Sequence, residues 1–207
     1  VVYKVLINPY GLNPIEDQVG EDKSDLKSVI FDNASQSWIG PFVMASINTK
    51  VVRRSNSLSS HSYGKNFKYD EGTIFGKGLF GRIKGIISTV LIGLIIYAKH
   101  GSLLKKVLDS FFPNPGEGPI TKKIEKGFYN LRFYITLEDG SNAFAKVTGD
   151  MDPGYGSTSK MLAESAVCLA KDKLPNKSGV LTPSVAMGDS LLTRLEKNAG
   201  LKFSFEY

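Results

Sequence analysis

The stretch Gly149-Asp150-Met151-Asp152-Pro153-Gly154-Tyr155-Gly156 places two carboxylates and a phenol on one short loop, the best polar constellation in the chain. Carboxylates beside a phenol can accept, hold or return a substrate proton. The same residue types in a Pro-Gly run also build turns and helix caps, and both readings stay open at this stage. Gly76-Lys77-Gly78-Leu79-Phe80-Gly81 has the G-x-G-x-x-G spacing of a dinucleotide loop. That chemistry needs a buried strand before the glycines and an acidic residue about 20 positions after them. Asp70-Glu71-Gly72-Thr73 does not read as a buried strand, and the first acid downstream is Asp109, so a flexible entry to the next segment is expected instead. His61 and His100 are far apart and offer no metal set. Cys168, the single cysteine, lies in apolar helical material with Leu162, Ala166 and Leu169 and reads as structural.

With 207 residues, of which 42% are hydrophobic and 22% charged, the chain can bury a core and is not disordered. One cysteine excludes an internal disulfide, a cysteine zinc site and a CxxC redox centre. The first residue is Val1 and no basic-then-apolar leader follows, so we expect a piece of a longer protein.

Between Gly76 and Lys106 stand Lys77, Arg82, Lys84, Lys99, Lys105 and Lys106 without one carboxylate, a local charge equal to the net +6 of the whole chain. These cations flank the uncharged run from Gly85 to Ala98, whereas a nucleic-acid groove spreads its cations among stacking aromatics, so no nucleic-acid partner is expected. As a helix, that run would extend roughly 21 Å, short of a hydrocarbon core of roughly 30 Å. Three roles remain for this 76–106 insertion: a buried core helix, an interfacial or re-entrant membrane contact, or a partner interface. For the membrane role the contact candidates are Lys84, Ile87, Leu91, Ile92, Ile95, Tyr97 and Lys99, with the cations meeting anionic headgroups and Tyr97 at the boundary.

The elements that must carry these residues follow from periodicity. Val1–Ile7 is β-like, and the acidic stretch 12–37 reads as a loop or flexible insertion. Phe42, Val43, Ile47, Val51 and Val52 recur at helical spacing after Pro41, predicting an amphipathic helix over 41–54. Phe112-Pro113-Asn114-Pro115-Gly116-Glu117-Gly118-Pro119 is a rigid linker or turn. Strict alternation over 129–137 and 143–147, joined by Glu138-Asp139-Gly140-Ser141, predicts an antiparallel hairpin. Helices follow from Ser157 or Thr158 to about Lys173 and from Pro183 to a stop at Gly200, and a strand closes the chain. The class is α+β (mixed α/β), an antiparallel-containing sheet packed by helices.

Four runs carry a resemblance. Pro41 through Asn56, Pro115-Gly116-Glu117-Gly118-Pro119, the loop from Gly149 through Met161, and Gly179-Val180-Leu181-Thr182-Pro183 resemble, in that order, the C-terminal part of the saccharopine dehydrogenase-like oxidoreductases. That family includes proteins called trans-acting enoyl reductases, and the resemblance covers Val1 to Tyr207. The hydrophobic insertion resembles the eukaryotic branch, whose members associate with lipid droplets and other membranes. The resemblance implies a parent with an N-terminal Rossmann domain binding NAD or NADP, followed by this substrate and oligomerisation domain, with a homo-oligomer expected. The glycine fingerprint of that domain is not in this sequence, so this chain alone is expected to hold no cofactor and to be inactive. By position in the family motifs, Met44, Asn48 and Arg53, with Asp150, Asp152 and Tyr155, are the implied substrate-binding candidates, and no catalytic residue is assigned. A lipid-linked carbonyl or enoyl substrate is the expectation. The alternative is a non-catalytic module for membrane or lipid-droplet targeting and oligomerisation, and the expected location is a lipid droplet or the cytosolic face of a membrane, with the cytoplasm as alternative.

Overall fold

A computed structural model describes residues 8–98, 102, 105–107, 110 and 117–206. The expected strand Val1–Ile7, Lys99, His100 and the first part of the linker lie outside the described residues. Two compact units, Val1–Phe112 and Pro113–Tyr207, make up the chain. Each combines a three-stranded antiparallel sheet with helices, so the class is α+β as expected.

In unit 1 the strands are β1 (Ile30–Asp32), β2 (Ser37–Pro41) and β3 (Gly72–Gly76), in the order β1-β2-β3. Helix α1 (Ala45–Leu58) leaves β2, and α2 (Gly78–Tyr97) follows β3. Pro41 ends β2 rather than opening α1, because its missing N–H costs nothing at the end of a strand. The stretch read as a flexible insertion holds a 3₁₀ turn, Ile15–Asp17, and β1. Gly76 and Gly78 turn the chain from β3 into α2 with φ of 100° and 66°, a region that disfavours side chains.

Helix α2 packs on β2 and β3 through its smallest residues. A Cβ on Gly81 would lie 2.3 Å from the Gly76 carbonyl oxygen, and one on Gly85 would lie 2.9 Å from Val29 and 3.1 Å from Phe75. Around Gly93 the space is open to 4 Å. The sheet therefore holds the first turns of α2, and the last ones leave it.

In unit 2, helix α3 (Thr121–Lys126) precedes β4 (Tyr129–Thr136) and β5 (Asn142–Gly149), and helices α4 (Gly156–Lys171) and α5 (Pro183–Asn198) precede β6 (Leu201–Glu206). The predicted hairpin is present in register Phe133 with Ala145 and Leu131 with Val147, and β6 adds Phe205 beside Ala145 and Phe203 beside Val147. Alternation puts these six side chains on one sheet face. Helices α4 and α5 bury Cys168, Met187 and Leu191 against one another, with Leu174, Ala186 and Leu195 around them. The companions expected for Cys168 differ: Leu162 and Leu169 are exposed. Helix α5 bends at Gly188, where φ is 48°.

Candidate functional site

Three groups of residues could do work, and each is held by its own local logic. The first is the polar face of α1. Apart from Ala45 its buried side chains, Thr49, Lys50, Arg53 and Asn56 among them, are polar, while Met44 and Ile47 are exposed. Arg53, 2% exposed, donates from Nε to Asp22 Oδ2 at 2.8 Å and from its terminal nitrogens to the Pro9 and Tyr69 carbonyl oxygens at 3.3 and 2.7 Å. Asp22 also accepts the Tyr69 amide at 2.9 Å. Asn48 donates to Glu71 Oε2 at 3.0 Å, and Glu71 accepts the Tyr69 hydroxyl at 2.9 Å. Burial first, and then the Glu71 carboxylate, push the Tyr69 phenol upward, so it stays protonated and donating. Thr49 Oγ1 lies 2.8 Å from both Asp25 Oδ1 and the Ala45 carbonyl oxygen. The acidic stretch read as a flexible insertion thus supplies the carboxylates that dock α1. Of the three candidates here, Arg53 and Asn48 have their donors engaged inside unit 1, and Met44 stands at the open start of the helix.

The second group is the loop before α4. Asp152 Oδ2 accepts the Tyr155 and Gly156 amides at 2.6 and 3.3 Å, and the Tyr155 amide holds its carboxyl below the usual carboxylate range. The Asp152 carbonyl accepts the Ser157 amide at 2.8 Å, and its own amide donates to Ile124 at 3.0 Å. Asp150 pairs with Lys160 at 3.3 Å and packs against Gly200, where φ is 74°. The Tyr155 ring is exposed. Turn and cap work is therefore assigned to Asp152, whereas Asp150 and the Tyr155 ring remain open to solvent.

The third is α2. At 20 residues it is about 30 Å long by its rise of about 1.5 Å per residue, so the length of roughly 21 Å expected from the uncharged run is corrected upward. An 18-residue window of it has a mean hydropathy of 1.9, and only Gly81 and Gly85 are buried, so the described residues do not enclose this segment as a core helix. At 100° per residue Gly81, Gly85 and Thr89 face the sheet, and Leu79, Ile83, Val90 and Leu94 point the opposite way. Ile87, Leu91, Ile95 and Tyr97 are exposed, as is Lys84, while Ile92 lies on the sheet-side arc and is half-buried. The Arg82 guanidinium lies 5.1 Å from the Trp38 ring centroid.

The remaining chemistry is structural. The G-x-G-x-x-G glycines join a strand to a helix, and that strand, β3, has no buried residue. The strand belongs to a wholly antiparallel sheet, and Gly81 closes against the Gly76 carbonyl. A dinucleotide cradle needs a parallel βαβ crossover and an open helix start, so the residues described here do not fit NAD(P). Cys168 is fully buried, and burial first, then Asp172, push its thiol up, away from nucleophilic use. His61 pairs with Asp17 at 3.3 Å. Among the described residues no group of three His, Cys, Asp or Glu could hold a metal.

Two features escaped the sequence reading. Arg194 grips Asp172 with two bonds of 2.6 Å and Glu164 with one of 3.2 Å, a link between α4 and α5 spanning too many residues for a local pattern to signal. A hollow of about 420 Å³ on the unit 2 sheet is lined by Phe133, Ile135, Ala145, Val147, Phe203 and Phe205. The alternation in three strands was its available signal.

Comparison with known proteins adds kinship. The chain is 35% identical over 206 residues to a Mycobacterium tuberculosis protein provisionally named a trans-acting enoyl reductase, covering 92% of this chain and 48% of that protein. It is 39% identical over 163 residues to a trans-acting enoyl reductase of Mycobacterium ulcerans, 76% of this chain and 39% of that protein, and 38% identical over the same length to one of Mycobacterium bovis. No family model matches the chain, and no solved structure matches it. The chain spans about half the length of the first of these relatives and less of the others. Over that shared stretch the chain is homologous to proteins named trans-acting enoyl reductases.

Proposed function

We propose that the chain forms the substrate-side half of a nicotinamide-dependent reductase of the saccharopine dehydrogenase-like type, acting on a lipid-linked carbonyl or enoyl compound. The observation that carries this is the 35% identity to a trans-acting enoyl reductase over 92% of the chain. In this reading NADH or NADPH is held outside these residues by a Rossmann domain, in keeping with the two antiparallel sheets seen here. The apolar hollow of unit 2 is a surface on which an acyl chain could lie, and it supports the lipid-linked substrate. Asp150 and Tyr155 are the polar groups left open for substrate contact.

The test is a fluorescence titration of NADH and NADPH into the full-length protein and into this chain. The expected result is binding by the full-length protein alone, followed by NAD(P)H consumption with an α,β-unsaturated acyl thioester. Cofactor binding by this chain, or by neither protein, rejects the reading. The exposed apolar α2 favours a second reading, a module that brings the protein to a lipid droplet or the cytosolic face of a membrane and supports self-association. Flotation with vesicles and light scattering test its two parts.

A further inference from the structure

We infer that α2 lies along an anionic phospholipid surface rather than across it. The inference rests on the lipid reading of α2 and adds its orientation. Three observations converge.

Length alone would let 20 residues cross a hydrocarbon core of roughly 30 Å. The fold forbids that placement. The sheet covers one side of the first turns, with Gly81 against the backbone of Gly76 and Gly85 against Val29 and Phe75. Pushing those turns into hydrocarbon would carry the sheet with them, including the unpaired edge of β3, at a cost of several kcal/mol for each unsatisfied polar group.

The side away from the sheet is apolar from end to end. Leu79, Ile83, Val90 and Leu94 are all exposed, and they project within about 60° of the direction opposite the sheet. A ridge of that kind fits the boundary between headgroups and acyl chains, where a helix lies buried by about 5–10 Å.

The exposed cations sit on its flanks. Lys84 projects to the side of the apolar ridge and Lys77 precedes the helix, while the Arg82 guanidinium on the other side lies over the Trp38 ring. From Gly72 to Leu108 the sequence holds no carboxylate, so the ridge is framed by positive charge alone. Such flanks meet anionic headgroups while the ridge enters the acyl region.

The test uses the full chain, with single cysteines placed at 79, 87 and 94 and labelled with an environment-sensitive fluorophore. Native Cys168 is fully buried and stays unlabelled in the folded protein. Vesicles contain phosphatidylcholine with or without about one-third phosphatidylglycerol, and lipids spin-labelled at two depths quench the probe. The expected result is binding to the anionic vesicles and equal, shallow depth at all three positions. A crossing helix would put position 87 deepest, because it lies about 12 Å along the axis from 79 and about 10 Å from 94. That graded pattern overturns the orientation while leaving the lipid reading standing. Absence of binding to both vesicles overturns the lipid reading and the orientation with it. Lys77→Gln with Lys84→Gln is expected to weaken anionic binding about 30-fold, at about 1 kcal/mol per cation. Equal binding to neutral and anionic vesicles overturns the charge assignment. Circular dichroism confirms that each variant keeps its fold.

Discussion

Replacing Arg53 by Ala distinguishes a residue that builds unit 1 from one that waits for a substrate. The guanidinium is 2% exposed and its partner Asp22 is 8% exposed, so the substitution leaves a buried carboxylate without its cation and two backbone carbonyls without a donor. Breaking a buried ion pair from one side costs about 3–5 kcal/mol. With a urea dependence of about 1–3 kcal/mol per molar, the unfolding midpoint of unit 1 should fall by at least about 1 M. The single tryptophan, Trp38, lies in β2 and reports unit 1 alone, so urea unfolding followed by its fluorescence isolates the effect. The second arm is the double variant Arg53→Met with Asp22→Asn. Removing both charges should cost less than the sum of the two single losses, because neither partner is left charged and buried. A loss below about 1 kcal/mol for Arg53→Ala, or simple additivity in the double variant, would refute the assignment and return Arg53 to the candidates for substrate contact.

Three further outcomes are expected. Gly81→Ala should destabilise unit 1 by about 1–3 kcal/mol, since its Cβ would meet the Gly76 backbone at 2.3 Å, whereas Gly93→Ala, with open space around it, should gain up to about 1 kcal/mol in the same Trp38 assay. Asp152→Ala should lower the thermal unfolding midpoint of unit 2 by leaving the Tyr155 and Gly156 amides unpaired, and Asp152→Asn should lower it less. Hydrogen bonds from Arg194 hold Asp172 at about 2, below its value of about 4 in an unfolded chain, so its contribution is full above about pH 4 and is lost as pH falls through about 2. Arg194→Gln should flatten that acid dependence, measured as unfolding midpoint against pH.

What could be read from the sequence depended on whether neighbours along the chain were also neighbours in space. The β4–β5 hairpin was legible because alternation and an Asp-Gly turn are both local, and its register follows from them. The strand-to-helix start of α2 was not, because Arg82 and Lys84 interrupt the apolar run, although each sits on a flank of a helix that continues through them. Periodicity located α1 within a few residues but carried no information on which face is covered. Its polar face is covered, because Asp22, Asp25 and Glu71 arrive from distant segments. Among the site candidates, Asp152 meets Tyr155 through its side chain and the Tyr155 amide. The capping work of Asp152 and the ion-pair work of Arg53 depend on geometry that residue type alone does not supply.

The polar burial beneath α1 has a thermal consequence. Of the buried apolar side chains among the described residues, Ala45 alone belongs to unit 1, while Thr49, Lys50, Arg53, Ser55 and Asn56 are shielded from water there. Exposing apolar surface raises the heat capacity on unfolding, and exposing polar surface lowers it. Unit 1 should therefore unfold with a heat-capacity increment below the common value of about 12–15 cal/mol/K per residue. Its stability curve is correspondingly shallow, so cooling toward the freezing point weakens unit 1 less than it weakens the α4–α5 pair, whose cohesion comes from Cys168, Met187 and Leu191.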